Sequence, residues 1–350
     1  MGNNFTKQTK TIRKYGWKKD IPDDRDLKHD FTLSANHDTI QVVDLRSKCP
    51  PIYNQGQLGS CTANAIAAAY EFDQMKENEE QVFTPSRLFI YYNERAMEGT
   101  VDQDSGAQIR DGIKSINSVG ICPETLWPYD ISKFTDKPTD ECYTDAKKHL
   151  AVEYKRVEQN LEQMKQCLIE GLPFVFGITC YESLESDEVT KTGIVPMPKP
   201  GEKVIGGHAL LCCFFSEEKR QFGFRNSWGS DWGCDGGYGY IPYDYLLNPD
   251  LASDFWTIVR VQDEEDSHVT EDSTEQSYAE TDTTIETYET DDSTYEPNND
   301  ADSTEQSYAD DSDSIDEDDD SYEDYLEDES YENESDDSDY ESVTEEDDGF

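Results

Sequence analysis

The stretch "NQGQLGSC" (Asn54–Cys61) decides how the chain is read. It sets glycine, glutamine and serine just ahead of a cysteine and runs into "TANAIAAAYEF" (Thr62–Phe72), whose alanine content marks a helix start. Unpaired N–H groups and the dipole at a helix N-terminus favour negative charge in the first turn. A thiolate is the reactive form of cysteine, and a free thiol at neutral pH is mostly protonated. Cys61 at this place, with Ser60 as its expected cap, is therefore a candidate nucleophile. The competing reading is a buried structural cysteine, the commoner fate of the residue.

A nucleophilic thiol needs a base, and the base needs an orienting group. Of the five histidines, His29, His37, His149 and His268 stand in charged or polar surroundings. His208 alone lies in "GGHALLCCFF", between paired glycines and an apolar, strand-like run. "FGFRNSWGSDWGCDGGYGYIP" follows, with Asn226 at a strand end and Trp228 and Trp232 just beyond. An amide there can accept the second N–H of an imidazole, and an indole can keep water from that bond.

Taken together these segments resemble the papain-like cysteine peptidases. "PPIYNQGQLGSC" is similar to the family's nucleophile segment, "GGHALL" to its histidine strand and "NSWGSDWGCDGGYGYI" to its asparagine segment. "GICPETLWPY" (Gly120–Tyr129) resembles the stretch that closes the first lobe. The resemblance implies Cys61 as nucleophile, His208 as base and then acid, and Asn226 as orienter. It also implies Gln55 as the side-chain donor to the oxyanion, beside the Cys61 N–H. The glycines would then let a substrate backbone lie against the turn, and the dipole would help keep the sulfur ionised. Two departures stand out: Leu58 occupies a position where the family usually has a disulfide-bonded cysteine, and Thr62 one where it has an aromatic. They point to a disulfide-poor microbial or viral branch.

Composition sets the limits. Of 79 acidic residues, forty fall between Asp263 and Phe350, where there is no Lys or Arg. The remaining 39 face 29 basic residues, so the body carries −10 and the tail −40. The tail has almost no aliphatic residues and cannot offset its ordering entropy by burial. Its repeat, "DSTEQSYA" at 272–279 and 302–309, has no apolar face to stack. The expected organisation is a basic N-terminal arm or short pro-segment (1–42), a peptidase domain (43–262) and a disordered acidic tail (263–350). All nine cysteines lie in the body without a C-x-x-C pair, which argues against a structural zinc site. No metal or cofactor is expected, and Cys212, Cys213 and Cys234 are expected to pack rather than pair.

The body reads as α+β. Helical patterns cover the Cys61 segment, "PSRLFIYYNERAM" with Pro85 near N1, and "AQIRDGIKSINSVG" ending at Gly120. "AVEYKRV" and "PFVFGITC" read as strands around the helix "NLEQMKQCLIEG", with further strands about His208, Phe224 and Ile258. The resemblance implies a two-lobed papain-like fold, a helical lobe facing a β-barrel-like lobe across the cleft. Its partner is then a peptide or protein substrate. An acyl transferase or amidase using the same site, and an inactive peptide-binding homologue, are the alternatives.

The ends carry their own signals. "MGNNFT" matches the N-myristoylation pattern at Gly2, and Lys7, Lys10, Arg13, Lys14, Lys18 and Lys19 follow before any acid. A membrane surface is thus a second candidate partner, with a plain basic leader as the competing reading. The tail's sign disfavours nucleic acid. No run of eighteen apolar residues and no secretory h-region is present. The expected location is intracellular, in the cytosol or with a virus particle.

Overall fold

A computed structural model describes residues 13–261 except 24, 27, 30, 36 and 78–81. Contacts divide the chain into Met1–Thr283 and Thr284–Phe350, and every described residue belongs to the first. The Gly2 motif and the acidic tail lie outside the described residues.

In chain order the elements are β1 (Trp17–Lys18), β2 (Lys28–His29), β3 (Val42–Asp44), α1 (Cys61–Glu77), α2 (Arg87–Met97), β4 (Ala107–Gln108), α3 (Ile109–Ser118) and α4 (Asp140–Ala146). Then come β5 (Ala151–Val157), α5 (Leu161–Ile169), β6 (Phe174–Tyr181), α6 (Asp187–Thr192), β7 (Val204–Ser216), β8 (Gln221–Arg225), β9 (Tyr238–Pro242), α7 (Tyr243–Leu247) and β10 (Ala252–Val261). Helices fill the first half and strands the second, as the pattern predicts.

Every residue of α1 from Cys61 to Gln74 is buried. A helix covered on all sides must be a central one, and small alanines let its neighbours approach closely. α2 starts at Arg87, two residues later than "Pro85 near N1" would have it. Ser86 takes the cap position because its hydroxyl accepts the Phe89 N–H at 3.1 Å, and Pro85 stays outside, bridged to Pro123. Gly120 ends α3 as expected, at φ +85°, with the Ala146 carbonyl so close that a Cβ would collide with it.

β1 and β4 form a two-stranded sheet of their own, and the other eight strands form one sheet in the order β2-β5-β10-β6-β7-β8-β9, with β3 paired to β7. Its end strands do not pair with each other, so the second lobe is an open sheet rather than a closed barrel. Alternation splits the strands between two cores. Phe174 and Phe176 of β6 and Leu210 and Cys212 of β7 face one cluster with Phe222 and Trp232. Val175, Ala209 and Leu211 face the other, against α1 and Ile66, Ile90 and Ile113. β9 and the short helices α4, α6 and α7 escaped the sequence reading: glycines mask the period in "CDGGYGYIP", and single-turn helices carry too little of one.

The N-terminal segment is part of this body. β1 pairs with β4 and β2 adds an edge strand beside β5, both parallel. Asp20 and Asp26 dock into a buried polar cluster. The Arg110 guanidinium bonds Asp26, Trp256 Nε1 donates to Asp20 at 2.9 Å, and the Asp20 N–H donates to Asp254 at 2.8 Å. Each buried charge is therefore bonded, as burial demands.

Candidate active site

One wall of the site is local. The turn from Asn54 to Ser60 leads into α1, and Cys61 is fully buried at its start. The Ser60 carbonyl accepts the Asn64 N–H at 3.0 Å, the first helical bond, so Ser60 holds the cap position. Its hydroxyl, however, lies 2.5 Å from the Tyr129 hydroxyl and accepts from the Asn64 side chain, which ties the turn to the segment after α3.

The opposite wall is assembled from distant sequence. His208 lies in β7, directly opposite Ile178 of β6, and Asn226 follows the end of β8. His208 Nε2 donates to Asn226 Oδ1 at 2.9 Å, and both residues are buried. The Ser227 N–H also donates to that oxygen, at 2.8 Å, which fixes which way the amide faces. With Nε2 carrying the proton, Nδ1 holds the lone pair, and it has no hydrogen-bond partner among the described residues. Trp228 stacks on the imidazole at 4.5 Å and 20°, and Trp232 braces Trp228 edge-on at 5.5 Å. The backbone N–H of Ala209, next to His208, reaches the Cys61 sulfur, so the two walls meet there.

Gln55 is also fully buried. Its Nε2 donates to the Leu58 carbonyl at 2.9 Å and to the Lys14 carbonyl at 3.2 Å. Its Oε1 accepts the Ser227 hydroxyl at 2.6 Å, and its backbone N–H donates to the Ser227 carbonyl at 2.8 Å. Ser227 thus couples the amide of Gln55 to that of Asn226. All four expected residues, Cys61, His208, Asn226 and Gln55, converge on one place. Ser227 was not singled out by sequence, although it lies between two residues that were.

The sequence allowed a short pro-segment within 1–42 but did not single out the residues of it that fill the cleft. Arg13 lies over the Trp228 ring at 4.2 Å. Tyr15 meets both His208 and Trp228 edge-on at 6.2 Å and donates its hydroxyl to Glu185 at 2.9 Å. The Gly16 N–H reaches the Cys61 sulfur, and the Gly16 carbonyl accepts the Ala107 N–H at 2.8 Å. Trp17 lies over Gly177 and Gly207 and donates Nε1 to Asp254 at 3.1 Å. A Cβ on Gly16 would stand 1.7 Å from the Gly59 carbonyl oxygen. The glycines of the turn do admit a peptide backbone, but the one they admit belongs to this chain. The signal was there in "YGW" (Tyr15–Trp17), a glycine between two large aromatics.

This cover sets the electrostatics. Burial pushes the Cys61 thiol up to about 12, against the pull of the Ala209 and Gly16 N–H groups. Burial also brings the His208 imidazole down to about 4; the Asn226 bond opposes that and the Arg13 charge adds to it. The expectation that the helix dipole keeps the sulfur ionised therefore fails for this state, because desolvation outweighs the dipole. Thiol and imidazole are both neutral while the segment is in place.

Comparison with known proteins gives the family. The sequence model of the papain family cysteine proteases matches residues 39–246. An uncharacterized peptidase C1-like protein of Acanthamoeba polyphaga mimivirus is 46% identical over 281 residues, 73% of this chain and 90% of that protein. Among solved structures, xylellain, a cysteine protease from Xylella fastidiosa, is 42% identical over 71% of this chain and 96% of its own, with a TM-score of 0.64. A digestive procathepsin L 3 from Tenebrio molitor shares the fold at 16% identity and a TM-score of 0.51. This chain belongs to the papain family of cysteine proteases, in a microbial and viral branch of it.

Proposed function

We propose that Cys61, His208, Asn226 and Gln55 hydrolyse peptide bonds through an acyl-thioester, and that Arg13–Lys18 holds the site latent until it is displaced. The carrying observation is the buried 2.9 Å bond from His208 to Asn226, which leaves Nδ1 free beside the wall that bears Cys61. With the segment gone, Nδ1 takes the thiol proton and the sulfur attacks the scissile carbonyl. The oxyanion is held by Gln55 Nε2 and the Cys61 N–H. In the latent state the Lys14 carbonyl occupies that Gln55 donor. The tetrahedral species then collapses, the C–N bond breaks, and the imidazolium gives its proton to the leaving amine. Water, deprotonated by His208, attacks the thioester and releases acid and thiol.

The same acyl-thioester captured by an amine would make the protein a transferase, and a site that never opens would make it a binding protein. Incubating the chain, its cleft opened by Gly16→Ala, with a peptide library, with and without added amine, and weighing the products separates the three. Hydrolytic fragments support the proposal, while amine adducts alone or unchanged peptides refute it. Two expectations outside the described residues belong to the same proposal. Acylation at Gly2 would bring the basic arm to an anionic membrane, with one chain giving only marginal binding by itself. The mass of the N-terminal peptide tests it, and an unacylated Gly2 ends it. Residues 263–350 would form a tail dispensable for folding, because they hold almost no aliphatic residues to bury. A large fall in melting temperature on truncation contradicts that.

A further inference from the structure

Away from the cleft, His37, Asp38 and Glu162 bring three ligand-bearing groups together. His37 is 2% exposed. Its Nδ1 lies 3.2 Å from Asp38 Oδ1 and 3.1 Å from Glu162 Oε2. Its other nitrogen, Nε2, faces the Glu162 carbonyl oxygen at 3.3 Å. A carbonyl can only accept, so Nε2 carries a proton. In the neutral ring Nδ1 then holds a lone pair, aimed at two carboxylate oxygens that are acceptors as well. Three lone pairs converging on one point repel unless something positive sits among them. Either a second proton or a metal ion meets that need.

We propose that His37, Asp38 and Glu162 bind one divalent transition-metal cation of the zinc type. A zinc-like ion bonds nitrogen and oxygen at about 2.0–2.2 Å. Ligand atoms around such an ion stand ~3.0 Å apart in octahedral and ~3.4 Å apart in tetrahedral geometry, at a bond length near ~2.1 Å. The separations of 3.1 and 3.2 Å fall between these edges. The Nε2–H bond to a backbone carbonyl is the support that ligating histidines usually have, because it fixes tautomer and ring orientation. The nitrogen ligand favours zinc, cobalt or nickel over magnesium and calcium, which prefer all-oxygen sites. Asp38 and Glu162 are open to solvent, which leaves room for water to complete the shell. Lys165 Nζ, 3.7 Å from Glu162 Oε2, lowers the local charge without reversing it: two carboxylates against one ammonium.

The place matters for the arm. Asp38 and His37 belong to the stretch that follows the cleft-filling segment, and Glu162 is in the first turn of α5. That stretch is already strapped to α5: the Phe31 N–H donates to Gln163 at 2.8 Å and the Ser34 N–H to Gln166 at 3.0 Å. A bound ion adds a clasp at the third point. Sequence gave no hint of it, since Asp38 and Glu162 are far apart in the chain and fit no ligand spacing.

Cobalt(II) titration of the full-length chain tests the site. The Cys61→Ala background removes the candidate nucleophile as a ligand, and excess magnesium saturates the acidic tail. One equivalent of cobalt should bind with visible d–d absorption and without the charge-transfer band of a cobalt–thiolate bond. Zinc should displace it. His37→Ala should abolish the spectrum, and Asp38→Asn and Glu162→Gln should each weaken binding ~10–100-fold or more, at least the loss expected for an outer-shell change. If His37→Ala does not fold, the two amide variants decide, since both positions face solvent. No d–d spectrum, or one that persists unchanged in the amide variants, would mean that the three side chains only hydrogen-bond one another. A thiolate charge-transfer band would place the metal on cysteines. Either result overturns the proposal.

Discussion

The wall that carries Cys61 and the wall that carries His208 and Asn226 are built in opposite ways. The first comes from one short stretch: a glycine-rich turn, a cap position and a helix that begins at the sulfur itself. The second exists only because β7 is held between β6 and β8, so that residues eighteen apart in sequence come within 2.9 Å. A local wall tolerates the loss of its reactive atom, whereas a wall made by pairing keeps buried polar groups that depend on each other. The two therefore ought to fail alike in chemistry and differently in stability.

The largest effects test this directly. In a chain whose cleft has been opened, Cys61→Ala and His208→Ala should each reduce peptide turnover to background, because members of such a site act as a unit. Cys61→Ala should leave the melting temperature nearly unchanged. His208→Ala should also destabilise the fold by about 0.5–1.5 kcal/mol, since it removes one of the two donors to the buried Asn226 oxygen. Activity assays together with denaturant titration measure both. Equal stability losses would erase the distinction between the walls, and turnover by the alanine variant at Cys61 would end the assignment.

Gln55→Ala comes next. It should lower kcat roughly 10²–10³-fold with little change in KM, the usual loss for one oxyanion donor. The measurement belongs in a chain whose cleft has been opened, because Gln55 also holds the Lys14 carbonyl in the latent state. A raised KM at constant kcat would make Gln55 a substrate-pocket residue instead.

Gly16→Ala provides that opened chain. Its Cβ would meet the Gly59 backbone at 1.7 Å, so the segment must move out and the turn need not. Overpacking of this kind costs ~1–3 kcal/mol. A shift of that size raises the open fraction about 5–150-fold. Peptide cleavage and alkylation at Cys61 should rise together. Unchanged alkylation would mean that the cleft is covered by something other than residues 13–18.

The same contrast explains what could be read beforehand. Cys61 and its helix were legible because turn chemistry and alanine content are local. His208 and Asn226 were legible because each sits in an unusual setting, glycine before an apolar run and tryptophan after an amide. Their pairing came from resemblance and not from spacing. Tyr15–Trp17 was not legible as a cleft filler, because its partners, Asp254, Gly177 and Gly207, lie more than 150 residues away. The clasp at His37 has the same difficulty. The protonation state was misjudged for a related reason: a dipole can be inferred from sequence, but desolvation depends on what finally covers the site.

The smallest predicted effect is on pH, and burial again sets its sign. The docked segment keeps His208 neutral, with its pKa brought from the ordinary 6.5 to about 4. Docking is therefore fully supported above 6.5 and loses support as pH falls from 6.5 towards 4, because the undocked imidazole takes a proton that the docked one refuses. The Cys61 thiol is moved from 9.0 up to about 12, so its contribution is complete below 9.0 and is lost as pH rises beyond it. Both walls thus favour docking between about 6.5 and 9, and each weakens it on its own side of that window. Asp20 works against the acid limb: burial and the Asp254 charge raise its pKa, so docking gains from its protonation as pH falls. Alkylation reads the thiolate fraction as well as the open fraction. The rate at Cys61 in the full chain, followed from pH 4.5 to 10 at about half-unit steps and divided by the ionised fraction of an ordinary thiol, should be flat and low in the middle and climb at the basic end, with the acid limb held down by Asp20. Asp20→Asn should steepen the acid limb, since the opposing proton uptake is gone. In Gly16→Ala the corrected rate should be high and the same at every pH. An uncorrected full-length profile with one inflection at the ordinary thiol value, superimposable on that of Gly16→Ala, would show that the segment does not control the ionisation of either wall.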